Sequence, residues 1–410
     1  MGSSSGRVRR SLCRSWWPDE AVDDRSGDAG PSERDDLQVL IEHFSLAGRV
    51  SLALAAPDAA ARRYVHAQMD PFTAAPQNVS GPADVVLEAL DPARAPRTGE
   101  LQKPARDGTV TLAADGRLFV LSAGRACAIP DPAASGPAVF ACEPGFPLSV
   151  VWGSAVRPAL HLKLTARGGV AVHSAAVERG DGAILVAGWS ESGKTETALA
   201  LMESGARFLS DKWTVLAPGG ASAFPIGVGV RRWVLAYLPR LRGTLPRAAR
   251  ARLVVAGGLA RATGPLRRGE GRAAEIFERG VALADRAALT PSELRAAYGQ
   301  SDDPARVVAL RALVVLVTSV DGTLRAERAD AAWAAARLAR TAGYERRELF
   351  ALRQRAAYSL VGPEDGGHGA AVAADERLLR ELLDGATVLR VEAPFPVDPR
   401  RVAAAIEAAL

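Results

Sequence analysis

The chain has 410 residues, and its 51 Lys and Arg side chains against 46 Asp and Glu give a net charge of +5. Hydrophobic residues make up 48% and charged residues 24%, which is ordinary globular composition and excludes wholesale disorder. The length exceeds one typical domain, so we expect a larger unit with a smaller companion. The longest apolar run, residues 307–320, is interrupted by Arg311 and predicts a buried strand or helix rather than a membrane span.

Two features of the sequence bear on the cellular compartment. Residues 1–20 contain no apolar core followed by a small-residue cleavage site, so they are not typical of a secretory signal, and we predict a cytoplasmic protein. Cys13, Cys127 and Cys142 are odd in number and lack the spacing of a zinc site. We therefore expect free thiols.

The first part of the chain predicts a tail and a small domain. Residues 1–36 are rich in Ser, Gly, Arg and Asp, which is typical of a disordered tail. From 37 to 145, short apolar segments alternate with Gly, Pro and Asp turns and predict a β-rich or α+β N-terminal domain. Residues 146–410 then form the predicted α/β domain, which opens with a helix that ends at Gly168 and Gly169.

The middle of this α/β domain predicts a strand, a loop, a helix and a strand. Two strands are joined by a turn at residues 179–182, and the second, 183–187, is the continuous apolar run of a covered sheet. KTETALALMES then predicts a helix that Gly205 closes, and ARFLSD starts the next strand. Later segments predict the strand LRALVVLVTS, the helices ADAAWAAARLARTAG and ERLLRELLDG, the strand ATVLRVEAP and the terminal helix DPRRVAAAIEAAL. This order is typical of a phosphate-binding α/β unit.

A phosphate-binding motif lies in the predicted loop, where Gly188, Gly193, Lys194 and Thr195 fit G-x-x-x-x-G-K-[ST]. The glycines let the backbone fold around a phosphate, so that N–H groups and a helix N-terminus face the anion. In this motif the lysine reaches the β and γ phosphates and the hydroxyl binds Mg²⁺. The predicted nucleotide-binding residues are Gly188, Ser190, Ser192, Gly193, Lys194, Thr195 and Glu196, although Glu196 is equally explained as a partner of the helix dipole.

The residues around this motif resemble the HPr serine kinase/phosphorylase family and its tailoring-kinase relatives in natural-product gene clusters. The resemblance lies in GKTETALALMESGARFLSD together with AVHSAAVERGDGAILVAG upstream, and it covers residues 170–215. It implies a P-loop kinase domain of the HPr kinase type preceded by a smaller domain. It also implies ATP and Mg²⁺ as cofactors, with His173 in the active site and Asp211 as the base that takes the proton from an acceptor hydroxyl.

Each of these residues also has a structural explanation, and the sequence departs from the family pattern. His173 is alternatively a buried strand histidine, and Asp211 a turn residue that ends a strand. Relatives commonly carry a second acidic residue where this chain has Lys212, and AFPIGVGVRRWVL supplies no acid downstream. The predicted metal ligands are therefore Thr195 and Asp211 alone. Because neighbouring strand residues point to opposite faces, Lys212 need not pair with Asp211 or neutralise it if Asp211 faces the nucleotide.

No Asp or Glu occurs between Lys212 and Gly269, a segment that is rich in arginine. One interpretation is that Arg231 or Arg232 contacts phosphate, as Lys212 would if it faced the site. The other interpretation is that these arginines lie on the solvent-exposed face of a helix. The arginines are Arg231, Arg232, Arg240, Arg242, Arg247, Arg250, Arg252, Arg261, Arg267 and Arg268. Nucleic acid is a weak candidate partner, since no aromatic platform accompanies these arginines.

The leading hypothesis is an ATP-dependent kinase that phosphorylates a hydroxyl of a peptide, a protein or a small biosynthetic metabolite. The alternative is a nucleotide-binding regulatory or scaffold protein that transfers no phosphate, which the missing acids favour. Chemistry like that of phosphoenolpyruvate carboxykinase shares the loop but requires a His, Lys and Asp metal cluster that the sequence does not locate. We predict no membrane partner, and assembly into a homo-oligomer stays open.

Overall fold

The computed structural model describes residues 41–410 except 56–57, 75–80, 102–103, 106–107, 133, 246, 248–249, 252, 254, 256–285, 302, 358 and 360–366. The predicted tail, residues 1–36, lies outside the described residues. The rest divides into two compact units, the second of which comprises Leu164–Tyr344 and Val372–Leu410. The first comprises the described residues up to Lys163 together with Glu345–Ala371. The domain boundary at 145/146 stays a prediction.

The first unit is built on a mixed β-sheet. Its strands are β1 (Ile41–Leu46), β2 (Val50–Ala55), β3 (Thr73–Ala74), β4 (Val85–Ala89), β5 (Glu100–Leu101), β6 (Val110–Ala114), β7 (Arg117–Ser122), β8 (Arg125–Ile129) and β9 (Ala138–Cys142). The strand order is β3-β1-β2-β4-β9-β8-β7-β6-β5, and β4 pairs in parallel with β2 and β9. Helix α1 (Ala59–Met69) starts at Asp58, whose carboxylate accepts from Ala61 N at 2.7 Å.

The expectation of free thiols is wrong for two of the three cysteines. Cys127 of β8 and Cys142 of β9 are joined by a disulfide with an S–S distance of 2.16 Å. The two residues are direct partners in the antiparallel register, which brings their side chains together on one face of the sheet. An odd number of cysteines leaves one over but does not prevent a pair. Cys13 lies outside the described residues.

The helix predicted to end near Gly168 is present, in three segments. Helix α2 (Ser149–Val151) continues into a π-helical turn (Trp152–Val156) and then into α3 (Arg157–Ala166). Pro158 lacks an N–H, and at this point Arg157 N bonds to Trp152 O in the wider π pattern. Gly168 has φ +76°, the left-handed conformation that ends helices.

The second unit contains the remaining strands and most of the remaining helices. Its strands are β10 (Val170–Val172), β11 (Ser174–Arg179), β12 (Gly182–Gly188), β13 (Arg207–Ser210), β14 (Thr214–Ala217), β15 (Gly220–Ala223), β16 (Val228–Arg231), β17 (Arg286–Leu289), β18 (Val307–Val308), β19 (Leu310–Thr318), β20 (Arg325–Arg328) and β21 (Thr387–Ala393). The helices are α4 (Lys194–Glu203), a 3₁₀ turn (Arg232–Ala236), α5 (Pro239–Thr244), α6 (Pro291–Ala297), α7 (Ala331–Arg355), α8 (His368–Leu382) and α9 (Pro399–Ala409). Helices α7 and α8 each extend across a boundary between the units.

The main sheet of this unit has the order β13-β11-β12-β19-β21-β20 and is parallel from β12 through β19 to β21. Smaller sheets have the orders β10-β14-β15-β18 and β16-β17. Every residue of β12 is buried, as the apolar run predicts for a covered central strand. Ile184 and Val186 pack in one core with α4 and α9, whereas Leu185 packs in another with α7 and α8. Helices therefore cover both faces, and the mixed α/β class is confirmed.

This layering positions a loop at the edge of the sheet. Gly188 ends β12 beside Leu316 of the parallel strand β19. In open α/β sheets, ligands bind at this carboxyl edge.

None of the helices in the described part of the chain combines the length and apolar character needed to cross a lipid bilayer.

Candidate nucleotide-binding and active site

The loop between β12 and α4 requires glycine at both ends of its motif. Gly188 has φ +150°, and a Cβ there would lie 2.6 Å from Ser192 Oγ and 2.9 Å from Leu316 O. Gly193 has φ +92° and forms the N-cap of α4, with the Phe395 ring 3.3 Å from a Cβ placed on it. A side chain at either position would open the loop, so these motif glycines have a geometric reason.

The Lys194 side chain lies inside the loop and binds its backbone oxygens. This side chain is buried, and Nζ donates to Gly188 O at 3.0 Å and to Trp189 O at 2.7 Å. The first N–H groups of α4 have no intrahelical acceptors, and the Gly193 cap has no side chain to occupy them. Together the ammonium group and these amides give the loop a positive interior that suits an anion.

The Ser192 hydroxyl is a second sign that the loop is built for a polar ligand. Its Oγ is buried and has no hydrogen-bond partner among the described residues. A buried hydroxyl without a partner costs about 1–3 kcal/mol, so such groups are few in folded proteins. A phosphate oxygen in the loop would satisfy this hydroxyl. Ser190, by contrast, is exposed.

Thr195 and Asp211 meet at the first turn of α4. Thr195 Oγ1 donates to Asp211 Oδ1 at 2.8 Å, and the carboxylate is only 5% exposed. Burial raises the pKa of Asp211 to about 6, because the charged form loses its water. Hydrogen bonds from the Thr195 hydroxyl and the Lys212 backbone N–H lower the pKa again in part. The negative charge of Glu196 raises the pKa further, and the positive charge of Lys194 lowers it. The carboxyl group can therefore bind or release a proton near neutral pH.

The strand argument for Lys212 is wrong. Strand β13 ends at Ser210, and Asp211 and Lys212 form a bend in which Lys212 has φ +61°. The two side chains are thus placed by a left-handed turn and not by the alternation of a strand. The turn aims the Lys212 backbone N–H at the Asp211 carboxylate.

His173 lies between β10 and β11 and reaches the site through an aromatic contact. Its imidazole is 7% exposed and stacks on the Trp213 ring, with centroids 5.0 Å apart and planes at 30°. Trp213 follows the Asp211–Lys212 bend directly. The contact between His173 and this bend therefore supports its backbone through the indole ring.

Of the predicted arginines, Arg231 lies at the loop. Its Nη2 is 3.0 Å from Glu191 Oε1, and its Nε is 3.6 Å from Glu196 Oε1. Arg232 follows in the 3₁₀ turn, and Arg240 packs over the Tyr298 ring at 5.3 Å. The described arginines therefore do not share one role. Arg252, Arg261, Arg267 and Arg268 lie outside the described residues.

The structure adds neighbours that the motif does not identify. Arg286 Nη2 lies 3.9 Å from Glu191, and Phe395 lies under the Arg231 guanidinium at 5.7 Å. Trp189, which is 55% exposed, contacts the 43% exposed Tyr344 with ring centroids 4.9 Å apart. Trp189 and Glu191 fill motif positions that accept any residue, and Arg286, Tyr344 and Phe395 come from distant segments without a local signal.

Two oxygen atoms of the site suit a divalent cation. Thr195 Oγ1 and Asp211 Oδ1 are hard donors of the kind that Mg²⁺ prefers. In the part of the chain that the structure describes, no cluster of three or more His, Cys, Asp or Glu side chains forms a metal site. Mg²⁺ with phosphates needs only one or two protein ligands, because phosphate and water oxygens complete its shell.

Neither a protein-family model nor a curated protein matches the chain. The functional argument therefore depends on the geometry of the site.

Proposed function

We propose that the protein is an ATP-dependent kinase of the HPr serine kinase/phosphorylase type that transfers the γ-phosphoryl group to a hydroxyl. The observation that carries the proposal is the Thr195–Asp211 contact, in which a buried carboxyl group with a raised pKa lies beside an anion-binding loop. The resemblance of residues 170–215 to that family gives the reaction class. The acceptor is a hydroxyl of a peptide, a protein or a small metabolite.

In this proposal each residue has a defined task. Lys194 and the loop amides hold the phosphates, and Thr195 and Asp211 hold the metal. When bound, ATP supplies the phosphoryl group and Mg²⁺ neutralises charge on the phosphates. Asp211 takes the proton from the acceptor hydroxyl. Burial raises the pKa of this carboxyl group to about 6 in the free protein. His173 positions the Asp211 bend through Trp213.

Ser192→Ala tests whether the loop binds phosphate. Because the free protein leaves this hydroxyl without a partner, we expect its stability to stay the same or rise by up to about 1 kcal/mol. Affinity for ATP should fall about tenfold, since a hydrogen bond to a charged phosphate is lost. Thermal unfolding and calorimetric titration measure the two effects.

The comparison variant is Ser190→Ala, whose side chain is exposed and should matter less. An S192A protein that is clearly destabilised and binds ATP normally would assign Ser192 a purely structural role.

The reaction itself is tested by incubating the protein with γ-labelled ATP and Mg²⁺. Candidate acceptors are peptides and carrier proteins encoded by neighbouring genes, and hydroxyl metabolites made by enzymes that those genes encode. Label should appear on one acceptor with wild-type protein and be absent with Asp211→Asn, which should still bind ATP. Binding without transfer to any acceptor would contradict the kinase proposal.

Binding of ATP without transfer of phosphate is what the other candidate function predicts, a nucleotide-binding regulatory or scaffold protein. One observation favours it: Arg231, the arginine nearest the loop, is already paired with Glu191 and Glu196. An arginine neutralised in this way contributes less to a transferring phosphate. The two functions differ in label transfer and not in nucleotide affinity, so the incubation decides between them.

A further inference from the structure

Beside the loop, the two-stranded β16-β17 ribbon carries two arginines at partner positions. Arg231 and Arg286 are directly opposite each other in the antiparallel register. Like charges that are opposite on neighbouring strands destabilise a sheet. Their side chains are 23% and 22% exposed, so water screens the repulsion only in part. An anion between the two guanidinium groups would remove this cost.

The carboxylate of Glu191 fills that place in the structure. Its Oε1 is 3.0 Å from Arg231 Nη2 and 3.9 Å from Arg286 Nη2. The Glu191 side chain is 66% exposed, and ion pairs with so exposed a partner contribute little. Its backbone has φ +63°, a conformation that costs a non-glycine residue about 1–2 kcal/mol. Glu191 is therefore a strained and weakly held partner for two arginines.

We propose that Arg231 and Arg286 bind the terminal phosphate of a nucleoside triphosphate, and that Glu191 occupies their site until the nucleotide arrives. The inference builds on the proposed nucleotide-binding function. Glu191 belongs to the same loop as Lys194, so the arginine pair flanks the phosphate-binding segment. A phosphate carries more charge than a carboxylate and offers several oxygens to two planar guanidinium forks.

The exchange is favourable on both sides. Glu191 gives up two ion pairs that its exposed side chain holds only weakly. Arg231 keeps its orientation, because Glu196 lies 3.6 Å from its Nε and Phe395 packs under the guanidinium. The pair would then distinguish a triphosphate from a diphosphate, which lacks the third phosphate.

The discrimination between three and two phosphates is the quantity to measure. Calorimetric titrations of the full-length protein with Mg²⁺ compare AMP-PNP, a non-hydrolysable triphosphate, with ADP, without any acceptor. For Arg286→Ala we expect the ratio of AMP-PNP to ADP affinity to fall about tenfold, the loss of one charge-assisted contact. For Glu191→Gln the ratio should rise about threefold, because the amide competes less well for the arginines.

Glu327→Gln is the matched control. Glu327 also lies between two arginines, since it pairs with Arg325 and lies 3.6 Å from Arg390 Nη1, but it belongs to β20 outside the loop. Its replacement should leave the affinity ratio unchanged. Glu191→Gly separates charge from backbone strain, because glycine accepts positive φ and carries no carboxylate. It should raise the ratio at least as much as Glu191→Gln.

The outcomes separate this inference from the proposed function. If AMP-PNP and ADP affinities change by the same factor in Arg286→Ala and Glu191→Gln, or do not change, the arginine pair does not bind the third phosphate. In that case the nucleotide site still stands if Lys194→Ala abolishes binding of both ligands. A wild-type protein that binds neither ligand overturns both proposals. If Arg286→Ala does not fold by circular dichroism, Arg286→Lys replaces it, and the Glu191 variants still decide.

Discussion

Asp211→Asn is expected to lower the rate of phosphoryl transfer by about 10²–10⁴-fold while nucleotide affinity stays near the wild-type value. The amide keeps an oxygen that can accept from Thr195, whose hydroxyl lies 2.8 Å from the present carboxylate. It has no pKa near neutrality and cannot take a proton from the acceptor. Single-turnover transfer of labelled phosphate measures the rate, and calorimetry measures the affinity.

The same variant is expected to be more stable than the wild type above pH 6. The pKa of Asp211 is about 6 in the folded protein and near 3.8 when unfolded, so the unfolded chain loses this proton first as pH rises. The raised pKa of Asp211 contributes to the free energy of unfolding of the wild type. This contribution is fully present below about pH 4 and is lost between pH 4 and 6. Asparagine does not ionise, so its advantage should grow to about 2–3 kcal/mol above pH 6 and vanish below pH 4.

Chemical unfolding of both proteins at pH 3.5, 5 and 7 would show this divergence. An advantage that is the same at all three values would mean that the carboxyl group is not held out of water in the folded protein. Loss of transfer together with gain of stability would identify Asp211 as a residue kept for chemistry at the expense of the fold.

Lys194→Ala is expected to reduce ATP affinity by at least about a hundredfold. The variant loses the charge that we propose faces the phosphates, and it also leaves Gly188 O and Trp189 O without their donor at 3.0 and 2.7 Å. Loss of a charge-assisted contact and opening of the loop both weaken binding. Titration with ATP and Mg²⁺ measures the change.

Lys163→Ala is a suitable control for this variant. Lys163 Nζ likewise donates to two backbone oxygens, those of Ala134 and Gly136, but in the first unit. Its removal should change stability and leave ATP affinity intact. A Lys194→Ala protein that binds ATP as tightly as the wild type would contradict the assignment of the loop.

The loop and the strands around it could be predicted because their requirements are local. A buried strand, two glycines at fixed spacing and a helix start all leave signals in neighbouring residues. Gly188 and Gly193 show this directly, since a Cβ at either position meets atoms within 3.3 Å. Asp211, by contrast, was identified from the resemblance of residues 170–215 to the kinase family.

Lys212 shows where local reasoning fails. The strand ends one residue before Asp211, and a left-handed residue other than glycine or asparagine leaves no sequence signal. The Cys127–Cys142 disulfide was missed for a different reason. Counting cysteines ignores which strands become neighbours, and register decides which residues are opposite.

Arg286 and Phe395 were not predictable at all from the motif. They reach the loop because β17 pairs with β16 and because a segment after β21 returns to Gly193. Contacts between segments so far apart in sequence are fixed by tertiary pairing. A motif search therefore finds the residues of the loop itself and misses the side chains that tertiary pairing brings to it.

The fluorescence of the exposed Trp189 indole can report on the state of this loop. The Trp189 backbone oxygen accepts from Lys194 Nζ, and the indole lies against Tyr344. If Lys194 binds the phosphates as proposed, its ammonium group leaves this oxygen, and the indole should change its quenching by iodide and its emission wavelength. Titration of the unlabelled protein would then follow loop opening in real time, with Trp189→Phe supplying the signal of the other tryptophans.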